Sequence, residues 1–171
     1  MWYRWFKISL LIGAVVLLSS CNKRSHYEYL LKNPQQVQTI LSSCGTQQTQ
    51  ECVDARIAAQ VFNEYVTISR THQQQIQQDR VVILQLQQQN FQPKTPEQQR
   101  VLNQFESMQF AIDEEFGKKI IDAQARLVNM QTALQNATNP TDRSKLAAAV
   151  ARQQQLVEAM QAMILVIEPM G

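Results

Sequence analysis

Residues 95–142 read TPEQQRVLNQFESMQFAIDEEFGKKIIDAQARLVNMQTALQNATNPTD, and this stretch decides the fold. Thr95 can cap a helix, and Pro96 sits at a first helical position, where a missing N–H is no loss. Phe105, Met108, Ile112, Phe116, Ile120, Ala123, Leu127, Met130 and Leu134 then recur three or four residues apart. That is the period of one buried helical stripe. Gly117 interrupts it, at about 1 kcal/mol relative to Ala. Asn139-Pro140-Thr141-Asp142 breaks the stretch and opens the next helix.

The pattern continues on both sides. Downstream, Leu146, Val150, Val157, Met160, Ile164 and Ile167 carry a final helix that ends at Pro169. Upstream, Val53, Ile57, Val61, Tyr65 and Ile68 form a stripe on a helix starting near Glu51 or Cys52. It thins from Thr71 to Gln75 and resumes with Ile76, Val81 or Val82, and Leu84 to Leu86, leaving room for a bend near His72. Pro93 and Pro96 stop it. A shorter helix over 34–44 has Asn33 as cap, Pro34 in its first turn, Gln36 in a capping-box position, and Gly45 at its end. No strand alternation persists. The expected fold is all-α: a short disulfide-linked helical hairpin head leading into a long antiparallel helical bundle or coiled coil.

The N-terminus carries a different signal. Arg4 and Lys7 precede the apolar run Ile8 to Leu18, and Leu18-Ser19-Ser20-Cys21 follows. Cations, an apolar core and small residues make a secretory signal. A membrane-spanning helix would need roughly 20 apolar residues. With Cys directly after Leu18, Ser19 and Ser20, the segment resembles a bacterial lipobox. The resemblance implies removal of residues 1–20, lipidation of Cys21 with diacylglycerol and an acyl group such as palmitate, and a membrane-anchored envelope protein. Asn22, rather than Asp, after that cysteine resembles the pattern sorted to the outer membrane, so a periplasm-facing outer-membrane location is expected ahead of the inner one. The expected organisation is a signal peptide at 1–20, a lipidated tether at 21–33, a clasped head at 34–70, and a Gln-rich helical bundle at 71–171.

Without the signal, the 16 Lys and Arg of the full chain fall by Arg4 and Lys7 to match its 14 Asp and Glu. A near-neutral chain argues against a nucleic-acid surface. No polybasic run marks an electrostatic lipid patch, so anchoring rests on acyl chains, at about 0.8 kcal/mol per buried CH₂. With Cys21 assigned to lipid, Cys44 and Cys52 remain as an even pair in an oxidising compartment, which reads as a disulfide. A metal site would lack ligands beyond His26 and His72, and a redox pair would want C-x-x-C spacing.

No zinc-protease, serine-hydrolase, P-loop or dinucleotide-binding motif occurs. Asp113, Glu114 and Glu115 are consecutive, so they point different ways around a helix. His26 and His72 read as solvated. The expectation is a non-enzyme with no catalytic residues, no cofactor and no metal. The 28 Gln read first as a solvated helix face, second as a partner-binding coiled-coil surface, and last as aggregation-prone low complexity.

Tyr29-Leu30-Leu31-Lys32-Asn33-Pro34, Leu41-Ser42-Ser43-Cys44, Cys52-Val53-Asp54-Ala55 and Ala58-Ala59 together resemble the EexN-type plasmid entry-exclusion lipoproteins. These are small envelope proteins encoded beside conjugative type IV secretion genes. The resemblance implies Cys21 as the lipid site, Cys44 with Cys52 as the paired cysteines, and a role in blocking redundant plasmid transfer. The expected partners are the membrane, a protein of the mating channel, and a further copy in a homo-oligomer. Residues 70–171 extend past the family pattern. They leave a second class of function open, a structural lipoprotein or minor-pilus-like helical scaffold of the secretion apparatus.

Overall fold

The computed structural model describes residues 26–167. Leu18, Ser19, Ser20 and Cys21 lie outside the described residues. Among those described, the chain is all-helical, with no strand. In chain order the helices are α1 (26–32), α2 (Pro34–Cys44), α3 (Gln50–Gln73), a 3₁₀ segment (Gln74–Asp79), α4 (Arg80–Gln88), α5 (Pro96–Asn136) and α6 (Pro140–Ile167).

Local chemistry accounts for most of the ends. The Thr95 hydroxyl accepts from Gln98 N–H at 3.2 Å, and Gln98 Oε1 accepts from Lys94 N–H at 2.7 Å. This is a capping-box exchange with the return bond shifted by one residue. Asn139 Oδ1 accepts from Thr141 N–H at 2.8 Å and caps α6. Thr49 caps α3 through Cys52 N–H at 3.3 Å. Asn33 departs from expectation, because its side chain makes no cap bond. Its Nδ2 instead donates back to Tyr29 O at 2.8 Å, and Gln36 accepts from the Tyr29 hydroxyl. Helix α1 ends where α2 begins, so Asn33 satisfies a C-terminal carbonyl of the first rather than an N-terminal amide of the second.

Part of the segment expected as a lipidated tether at 21–33 is folded. Residues 26–32 are helical, and Tyr27, Leu30 and Leu31 are buried. Their i, i+3, i+4 spacing gives one apolar face, and burying each leucine contributes about 1.5–3 kcal/mol. The thinning near His72 does mark a break. Helix α3 stops at Gln73, and a 3₁₀ segment carries the chain to Asp79. With few apolar positions to hold one face inward, little favours regular α geometry there.

The chain forms two compact units. One combines residues up to Phe62 with those from Ala123 onward, and the other is Asn63–Asp122. A linear boundary at residue 70 does not describe this packing. The core of the first unit contains Tyr27, Leu30, Leu31, Val37, both disulfide cysteines and Val61, with Val157, Met160 and Met163 of α6. Ala55, Ala58, Ala123, Ala159 and Ala162 are also fully covered there. Gln153 Nε2 on α6 donates to the Ala123 carbonyl of α5 at 2.9 Å.

In the second unit, Leu86, Val101 and Leu102 form a buried cluster backed by Val82 and Ile83. The turn between α4 and α5 is a Schellman close. Phe91 N–H donates to Leu86 O at 2.7 Å, and Asn90 N–H to Gln87 O at 3.2 Å. Asn90 and Phe91 both take left-handed φ, 52° and 56°. That conformation costs a bulky residue about 1–2 kcal/mol. Phe91 offsets part of it by stacking on Phe105 at 5.7 Å and 19°.

Candidate functional site

The residues that carry the family resemblance fold into one clasped element in the first unit. Cys44 ends α2, Gly45 follows with φ 49°, and residues 45–49 return the chain to α3. Gly45 is required there, because a β-carbon is disfavoured at that φ. A disulfide joins Cys44 to Cys52 with their Cα atoms 5.8 Å apart, as the cysteine pairing predicts. Both cysteines are buried. Arg56 Nη2 donates to Gly45 O at 3.2 Å and Gln47 O at 3.1 Å, pinning the loop against α3.

A second lock lies at α1. The Tyr27 hydroxyl donates to Asp54 Oδ1 at 2.9 Å, and Gln50 Nε2 donates to the same oxygen at 2.8 Å. His26 Nε2 lies 3.4 Å from Asp54 Oδ2. Asp54 is 8% exposed, so its carboxyl group is satisfied by these two donors, with His26 beside them, rather than by bulk water. Burial, reinforced by the charges of Asp54 and Glu158, pushes the Tyr27 hydroxyl far above its ordinary range. The phenol is therefore fixed as a neutral donor. Sequence reasoning missed this network. The signal was the Tyr27, Leu30, Leu31 spacing, too short a run to read as a helix by itself.

What these locks present outward is a polar-aromatic face. Tyr29 is 49% exposed and donates to Gln36 Oε1 at 2.8 Å. Beside it a shallow groove is lined by Lys32, Asn33, Pro34, Gln35, Gln36, Thr39 and Ile40. Among the described residues, Lys32 is the only charged one lining it. Thus Leu30, Leu31, Cys44, Cys52, Ala55 and Ala58 hold the element together, while Tyr29 and the groove are free for contact.

The other singled-out residues sit in the second unit, where the solvated reading of His72 is corrected. His72 Nε2 lies 2.9 Å from Glu115 Oε2, with the histidine side chain 21% exposed. Asp113 accepts from the Tyr65 hydroxyl at 3.5 Å, and Glu114 pairs with Lys118 at 2.7 Å. Asp113, Glu114 and Glu115 do diverge, and two of them join α5 to α3. Lys119 adds a third link, to Glu64 at 3.2 Å. Burial pushes the Tyr65 hydroxyl up to about 12 and raises the Asp113 carboxyl, whose bond from Tyr65 opposes the rise. Among the described residues no group of three His, Cys, Asp or Glu could hold a metal ion, and no helix is long and apolar enough to cross a membrane.

No family model, curated protein or solved structure matches the chain.

Proposed function

We propose that this is a lipid-anchored envelope protein of a conjugative type IV secretion system, and that it excludes redundant plasmid transfer by binding a mating-channel component. The observation behind the reading is the division of labour in residues 26–58. The disulfide and the Tyr27–Asp54 bond fix the element, and Tyr29 with the adjoining groove is left exposed. A rigid aromatic flanked by Gln and Asn suits protein recognition, because it loses little side-chain entropy on binding. With one charge lining the groove and a near-neutral mature chain, binding should depend little on salt. A lipid on Cys21 would hold this face within a few residues of a membrane surface.

The test is plasmid transfer into recipients that express the full chain. The cognate plasmid should enter at least an order of magnitude less often than in empty-vector recipients, while an unrelated plasmid enters normally. Equal entry of the cognate plasmid overturns the proposal.

The 41-residue α5 favours a second reading, a helical scaffold of the secretion apparatus in which the long helices pair as an antiparallel bundle. Under that reading a donor lacking the gene loses pilus assembly, and the recipient phenotype is absent.

A further inference from the structure

Helix α5 carries an apolar face that no other described residue covers. Phe110 is 71% exposed and Ile121 is 64% exposed. They are eleven residues apart, about three turns or 16 Å, so they lie nearly in line along one side of the helix. Gly117 lies on the same side between them. A β-carbon built on Gly117 meets nothing within 4 Å. Neither crowding nor a left-handed φ within this chain therefore requires the glycine, although it weakens the helix interior. A glycine between two exposed apolar side chains lets another helix come close to the backbone.

The charges on this face name the occupant. Glu114 and Lys118 are both exposed and pair with each other at 2.7 Å. Consider a two-fold axis between Glu115 and Phe116, with two α5 helices antiparallel. Phe110 of each copy then lies opposite Ile121 of the other. Glu114 of each then lies close to Lys118 of the other. Gly117 lies near the crossing. The face is complementary to itself in this arrangement, as an isologous contact must be.

We infer that the Phe110–Gly117–Ile121 face of α5 binds a second copy of this chain, antiparallel, with each Glu114 exchanging its own Lys118 for that of the partner. The contact is of the small, reversible class.

The experiment uses two differently tagged full-length chains co-expressed, extracted in mild detergent and scored by co-purification. Wild type should retrieve wild type. Glu114→Lys should fail to retrieve itself, as should Lys118→Glu, because each makes the face like-charged. Mixing Glu114→Lys with Lys118→Glu should restore retrieval, since each charge then meets its opposite across the axis. Thermal melts matching wild type establish that the single reversals fold. The inference is overturned if wild type does not retrieve itself, if either reversal pairs as wild type does, or if the mixed pair stays apart. Restoration in the mixed pair also separates a second copy from a different protein partner, which would gain nothing from mixing.

Discussion

Tyr27 and Asp54, 27 residues apart in sequence, share a hydrogen bond of 2.9 Å that is buried at both ends. It fastens α1 to the first turns of α3, so residues 26–32 become part of the folded core. Tyr27→Phe removes the donor and leaves Asp54 buried with less compensation, at an expected cost of about 1–3 kcal/mol. Urea unfolding measures it. Tyr29→Phe, which loses only an exposed bond, should stay within about 0.5 kcal/mol of wild type.

Alkali should unfold the protein through its tyrosines. Unfolded tyrosine ionises near 10.0, whereas burial, with Asp113 beside it, pushes Tyr65 up to about 12, and burial beside Asp54 shifts Tyr27 further in the same direction. Above pH 10 the unfolded chain has shed protons that the folded chain still holds. The stabilisation is therefore fully present below pH 10 and is lost as pH rises through the folded values. The phenolate absorbance of Tyr27 and Tyr65 should appear together with loss of helical circular dichroism. Early ionisation of all tyrosines in a still-folded chain would contradict the burial argument.

The disulfide is expected to contribute about 2–3 kcal/mol by closing a short loop in the unfolded chain. Cys44→Ser should lower the urea midpoint accordingly. Thiol titration of the oxidised protein should find neither Cys44 nor Cys52 free until a reductant and a denaturant are both present, because both cysteines are buried.

Gly117→Ala should stabilise the isolated chain by about 0.5–1 kcal/mol, since helix propensity improves and the new methyl meets open space. Thermal melting at low protein concentration checks this.

The long helices were legible because their signals are local and repeated. Thr95-Pro96 caps and starts α5 as read, Asn139-Pro140 marks the break before α6, and the Phe105 to Leu134 stripe spans α5. The break after Gln73 was legible as a thinning of apolar residues. Two features were not. Asn33 sits between two helices, and sequence alone favours the commoner N-cap role over the bond it makes back to Tyr29. Asp54 looks like a surface carboxylate near a helix start, and only the folding of α1 across it brings Tyr27 and His26 within reach. The paired cysteines were legible from their number, but the exposure of Tyr29 beside buried Leu30 and Leu31 needed the fold.

The measurement that bears most directly on the central claim is cognate-plasmid transfer into recipients carrying the full chain or its Tyr29→Ala variant, at equal protein level and with the disulfide intact. Exclusion by the wild type and near-normal transfer into the Tyr29→Ala recipient is the expected result. If Tyr29→Ala excludes as well as the wild type, the exposed Tyr29 face is not the binding surface; if the wild type itself fails to exclude, the exclusion function is wrong.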